Sequence, residues 1–205
     1  MTEITTYKTL SAPIQVEFKD KGSRFIAYAY PVLTADDVKK HVDDLRQEHH
    51  KARHWCYAYR LGTDGNKFRA NDDGEPSGSA GRPILGQIDS FELTDVLVVV
   101  VRYFGGTLLG VSGLIHAYKM ATQMAFQAAA IVEKNIEKTL YLRCDYPHLN
   151  DALRIAKNHH ANIIEQDLQL DCRLTVRVPL VDFQAAVNAW QFERTINLSE
   201  EPVAS

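Results

Sequence analysis

A chain of 205 residues is long enough for two small domains. Its 45% apolar and 24% charged content is ordinary for a globular protein and excludes a disordered or collagen-like chain. The net charge of −3 and a pI near 6.2 exclude a protein drawn to nucleic acid by bulk charge, so any such binding needs a local patch. The longest apolar run, Val96 to Val101, is far too short to span a membrane, and the opening residues carry no secretory pattern. Cys56, Cys144 and Cys172 are three, widely spaced and without a C-x-x-C pair, which excludes a disulfide framework and a cysteine zinc ribbon and fits a reducing cytoplasm.

In chain order, Ile14 to Lys19 and Arg24 to Val32 read as strands joined by a turn at Lys21-Gly22-Ser23. Thr34 is suited to cap a helix from Ala35 to about His49, with Val38, Val42 and Leu45 as its apolar stripe and Asp36 and Asp37 in its first turn. His54 to Leu61 alternates as a strand and is followed by the turn residues 62–66. A short helix is expected at Pro83 to Ile88. Val96 to Phe104 is β-branched and apolar on both faces, so it reads as a central strand. Gly113 to about Val132 reads as a long buried helix.

Charge and glycine content change near residues 134–138. Residues 135–205 hold seven basic and ten acidic side chains, which leaves 16 of each in 1–134, and glycines concentrate between Gly62 and Gly113. The domains are therefore set at 1–134 and 135–205. The second has strands at Leu140 to Tyr146, Ala161 to Asp167, Gln169 to Val178 and Phe192 to Leu198. Helices fall at Leu149 to His159 and Val181 to Trp190. That β-α-β-β-α-β order is the ferredoxin-like motif, and residues 135–205 are expected to fold alone around Trp190. The motif serves many functions and selects none.

Three segments are dense in chemistry. In Asn71 to Pro83, Gly74, Gly78 and Gly81 imply special dihedrals or a close backbone approach. Ser77 or Ser79 would cap the following helix and leave its N–H groups facing outward as an anion site. Asp72, Asp73 and Glu75 could gather a hard cation, although a solvated acidic turn is the favoured reading. The segment Val101 to Gly113 runs from strand through a glycine turn into a helix. Its glycine-rich loop holds Gly105, Gly106 and Gly110; it has no Lys-Ser or Lys-Thr ending for a P-loop, and the spacing of Gly106, Gly110 and Gly113 is not the dinucleotide fingerprint. Arg102 beside Tyr103 and Phe104 is suited to hold a phosphate, or equally to pair inside with a nearby carboxylate. The third segment, His49 to Cys56, has no partner cluster for zinc, and Cys56 reads as a small buried side chain. No G-x-S-x-G occurs. What remains is a basic and aromatic patch of Arg24, Lys51, Arg53, His54 and Trp55, fitted to a phosphate backbone or an acidic protein surface. The segments DDGEPSG and RYFGG are expected to meet in space, and no metal or cofactor is expected.

Ser23-Arg24-Phe25-Ile26, the run from Ala52-Arg53-His54 through Tyr59, the run from Asp72 through Arg82-Pro83, and Val100 through Gly110 follow one another in a single order. With these motifs the chain resembles the IMPACT family and, within it, the bacterial YigZ-type branch. The resemblance implies an α+β protein whose first domain is like domain IV of elongation factor G and a small-subunit ribosomal protein domain. It implies a second domain like domain V of that factor. Eukaryotic members regulate translation under amino-acid stress by competing for the activator of an initiation-factor kinase. Bacteria lack that pathway, and the family offers no agreed catalytic residues to carry over. The function expected is that of a non-enzymatic RNA- or ribosome-associated protein in translation or its regulation, using Arg24, Arg53, His54, Trp55, Arg82, Arg102 and Tyr103. The alternative is a pocket in the glycine-rich loops for a small phosphorylated or nucleotide-like ligand, and a third reading is a module for an acidic protein partner.

Overall fold

The computed structural model describes residues 4–169 and 171–201. It divides into two compact units, one spanning Tyr7–Lys134 and the other running from Asn135, with residues 4–6 joining the latter. Residues 4–6 thus depart from the 1–134 grouping. The main-chain bond from the Ile136 N–H to the Thr5 carbonyl (2.8 Å) ties them there.

Apart from the end residues Thr6 and Asn135, β1 (Thr6–Leu10) and β7 (Ile131–Asn135) belong to the first unit and pair as a two-stranded sheet. Neither strand is expected from sequence, since both are short and largely polar. The main sheet contains β2 (Ile14–Asp20), β3 (Ser23–Pro31), β4 (His54–Leu61), β5 (Lys67–Asn71) and β6 (Val96–Tyr103). Its order is β2-β3-β6-β4-β5, antiparallel throughout. The β2–β3 loop is only Lys21 and Gly22, at φ 44° and 80°; two positive φ values match the twist of the flanking strands, so Ser23 is already strand.

β6 is the middle strand because both of its faces are apolar. Val96, Val98 and Val100 face one cluster with α2 (Gly81–Ser90) and α3 (Gly110–Ala128), while Leu97, Val99 and Val101 face another with α1 (Ala35–Glu48). Each such side chain contributes roughly 1.5–3 kcal/mol of burial. α1 starts in a reciprocal cap. Thr34 Oγ1 accepts the Asp37 N–H (3.1 Å) and Asp37 Oδ2 accepts that of Thr34 (2.9 Å). α2 starts two residues before Pro83, α3 starts at Gly110, and α3 stops at Ala128, short of the expected Val132, because Ile131 turns into β7.

The second unit has the expected element order: β8 (Glu137–Cys144), α4 (Leu149–Asn158), β9 (Asn162–Leu168), β10 (Cys172–Pro179), α5 (Leu180–Phe192) and β11 (Ile196–Ser199). Phe192 ends α5 instead of opening the last strand. The sheet order is β11-β8-β10-β9, antiparallel. Leu140, Leu142, Leu174, Val176 and Val178 pack with α4 and α5 around Trp190, whose indole N–H donates to the Ala152 carbonyl (3.2 Å). Strand alternation sends Tyr141, Arg143, Arg173, Thr175 and Arg177 to the other face, which no helix of this unit covers among the described residues. Cys144 and Cys172 stand opposite each other in the register, both free and buried. Their separation in sequence hides this pairing.

Candidate functional site

DDGEPSG and RYFGG do meet, and the contact is internal. Arg102 leaves the end of β6 with its side chain 8% exposed and donates through Nη1 to Glu75 Oε1 (2.7 Å). The Tyr118 hydroxyl, from α3, donates to the same oxygen (2.8 Å), and the single Cys56 thiol proton is shared between the Asp72 carbonyl (3.0 Å) and Tyr118 Oη (3.3 Å). Phe25 and Phe104 flank the guanidinium at 5.5 and 5.7 Å. Burial pushes the Cys56 thiol and the Tyr118 phenol well above their ordinary values, so both stay protonated and act as donors.

The turn before α2 is not a solvated acidic turn. Each carboxylate has its own structural task. Asp72 accepts the N–H groups of Gly78 (2.8 Å), Ala80 (3.0 Å) and Gly81 (2.8 Å). It therefore fills the α2 N-terminus where an external anion was expected, and neither Ser77 nor Ser79 serves as cap. Burial alone would raise the Asp72 carboxyl, but the three N–H donors and Arg82 outweigh it and hold it below the usual carboxylate range. Asp73 accepts the Trp55 N–H (2.7 Å) and Arg46 (2.5 Å). Glu75, 9% exposed, serves Arg102 and Tyr118. No group of three or more His, Cys, Asp or Glu among the described residues is arranged for a metal ion.

The glycines fall into two kinds. Gly74, Gly78, Gly106 and Gly110 have φ of 87°, 75°, 86° and 72°, which other residues rarely adopt. Gly81 and Gly105 are needed for space. A Cβ would lie 2.5 Å from Asn71 N in the first case and 1.9 Å from the Gly22 carbonyl carbon in the second.

The basic and aromatic patch is largely committed within the unit. Arg24 reaches Glu17 (2.6 Å) and lies over the Tyr103 ring. The Tyr103 hydroxyl meets His49 Nδ1 (2.9 Å), whose Nε2 meets the Tyr28 hydroxyl (2.7 Å). His54 Nδ1 lies 2.9 Å from the Asp73 carbonyl. Trp55 donates its indole N–H to Leu45 of α1 (3.1 Å), and Arg46 lies over its ring (5.3 Å). Its face is thus covered from inside the unit, and Arg102 is screened by two phenyl rings. Arg53 and Arg82 are exposed. These partners come from distant segments, which is why the patch reads as free in sequence.

Two open surfaces were missed in sequence. On the uncovered sheet face of the second unit, a shallow groove of about 240 Å³ is lined by Tyr141, Arg143, Arg173, Thr175, Glu165 and Asp167. Arg143 and Arg173 both reach Asp171, while Arg177, further along the strand, is exposed and makes no ion pair among the described residues. On the first unit, a groove of about 340 Å³ runs between α1 and the β4–β5 edge.

These observations define a protein of mixed helix and strand in two units, the first braced by a buried charge network and the second with a sheet face that none of its own described helices covers. The chain belongs to the IMPACT family: the Impact N-terminal domain pattern matches residues 21–126. It is similar to an IMPACT family member of Haemophilus influenzae, with 35% identity covering 84% of each chain. It is also similar to IMPACT family member YigZ of Escherichia coli, with 34% identity covering 82% of this chain and 84% of that one. The crystal structure of a protein described as hypothetical, 30% identical, superimposes over 98% of this chain and 100% of its own with a TM-score of 0.76. No helix among the described residues is long and apolar enough to cross a membrane.

Proposed function

We propose that this protein is an RNA- or ribosome-associated protein, without catalysis of its own, acting in translation or its regulation within the cytoplasm. The observation that carries the reading is the uncovered face of the β11-β8-β10-β9 sheet, with Tyr141, Arg143, Arg173 and Arg177 standing along its two middle strands. A four-stranded sheet with helices on one side only, carrying an aromatic ring and arginines on the other, is a known platform for unstacked bases and phosphates. The strand order agrees with the ferredoxin-like motif, and so with the likeness to domain V of elongation factor G that the family resemblance implies. The first unit, read as the domain IV-like partner, is consistent with a translational role. Glu165, Asp167 and Asp171 around the arginines work against unspecific attachment to any polyanion and favour a shaped RNA target.

The test is co-sedimentation of the purified chain with ribosomes at low and at raised salt. Pelleting at low salt that falls steeply as salt rises supports the reading. No pelleting at low salt, with the protein shown to be folded, removes it.

A further inference from the structure

The groove on the first unit has a chemistry of its own. Its floor is β4, where Tyr57 and Tyr59 stand two residues apart and so share a face about 7 Å from one another. Opposite them across the ladder on β5 are Asn71 and Arg69. Its wall is α1, where Lys39, Asp43 and Arg46 are spaced i, i+4 and i+7 and line one side of the helix. The groove exists because α1 packs over β6 and β4 and leaves the β5 edge bare. Both tyrosine rings are half-buried, held against the apolar cluster beneath α1. Arg46 is taken by Asp73 and lies over Trp55, but Lys39 and Arg69 are exposed and make no ion pair among the described residues. Asp43 is the one acidic side chain in the lining.

The geometry points to this groove as a binding site for a single-stranded RNA segment, with bases on the Tyr57 and Tyr59 rings and phosphates at Lys39 and Arg69. The groove of about 340 Å³ spans both rings, and its open side leaves the strand free to continue along the β5 edge. Two neighbouring aromatic rings between two unpaired cations match the alternation of base and phosphate along a strand. An acidic peptide would satisfy Lys39 and Arg69 but leave the tyrosine faces without a planar partner. The inference rests on the RNA reading above and locates a second contact, on the first unit, away from Arg102.

The experiment is an anisotropy titration of the full chain with a fluorescent oligouridylate of about ten nucleotides, at several salt concentrations. Lys39→Gln and Arg69→Gln, both at exposed positions, each weaken binding and flatten the salt slope by about 0.7. Asp43→Asn tightens binding by removing the repelling charge. Tyr59→Ala weakens it roughly 5- to 150-fold with little change in slope, and Tyr59→Phe restores it. The inference is overturned if the parent does not bind the oligonucleotide. It is equally overturned if Lys39→Gln, Arg69→Gln and Asp43→Asn all bind like the parent, or if polyglutamate displaces the oligonucleotide at equal charge concentration. Ribosome pelleting of the parent separates the two ideas. Pelleting with an indifferent groove removes the groove alone, whereas neither pelleting nor oligonucleotide binding removes both.

Discussion

Glu75→Ala is the sharpest perturbation of the first unit. It deletes the acceptor shared by Arg102 Nη1 (2.7 Å) and the Tyr118 hydroxyl (2.8 Å) and leaves a buried guanidinium without its counter-charge. Breaking one side of a buried pair costs about 3–5 kcal/mol. For a unit of this size that corresponds to a fall of roughly 10–20 °C in its melting temperature. Tyr118→Phe removes one hydrogen bond to the same oxygen and costs about 1 kcal/mol. The double change Glu75→Leu with Arg102→Met removes both charges at similar volume and recovers most of the loss. Calorimetry of the full chain is the assay, because the second unit has its own core and is expected to give a transition of its own that serves as an internal reference. A first-unit transition that moves by less than about 3 °C in Glu75→Ala refutes the view that this pair fastens the two glycine loops. So does a double variant as unstable as the two single changes added together.

Gly105→Ala places a methyl group 1.9 Å from the Gly22 carbonyl carbon and prevents a native first unit. Gly106→Ala, strained only by its φ of 86°, costs on the order of 1 kcal/mol, as paired thermal melts will show. Gly86 lies inside α2 with open space around it, so Gly86→Ala raises stability by roughly 0.5–1 kcal/mol in urea titrations. Asp72 has a lowered carboxyl in the fold, so the stability it contributes is complete above the unfolded value near 3.9 and disappears as pH falls through the lower folded one. Melts between pH 5 and pH 2 therefore lose stability toward acid, and Asp72→Asn shows a shallower loss from a lower plateau. Residues 135–205 expressed alone are expected to give a cooperative thermal transition, which a featureless melt would contradict.

How far the sequence is legible follows from the range of each interaction. β6, β4 and α1 carry their own signals: a run apolar on both faces, strict alternation, and a Thr34 cap with its stripe. β1 and β5 do not, because each is five residues long, partly exposed and mostly polar, and exists through its neighbours. The α2 cap is illegible for a similar reason. Asp72 sits eight residues before Ala80 and nine before Gly81, so local rules nominate Ser79 instead. Arg102 and Glu75 announce a meeting because a cation at the end of a buried strand needs a counter-charge. The covering of Trp55 by Leu45 and Arg46 needs α1 laid across the sheet, which spacing cannot supply. The groove of Tyr57, Tyr59, Lys39 and Arg69 is hidden with β5.

RNA is proposed to meet the uncovered sheet face and the α1–β5 groove, whereas the Arg102 loops are internal structure. Ultraviolet cross-linking of the protein to purified ribosomes, with the modified peptides sequenced, tests it most directly. RNA adducts are expected on peptides carrying Tyr141 and on those carrying Tyr57 or Tyr59. Adducts confined to Phe104–Gly110, or none above an unirradiated control, would contradict it.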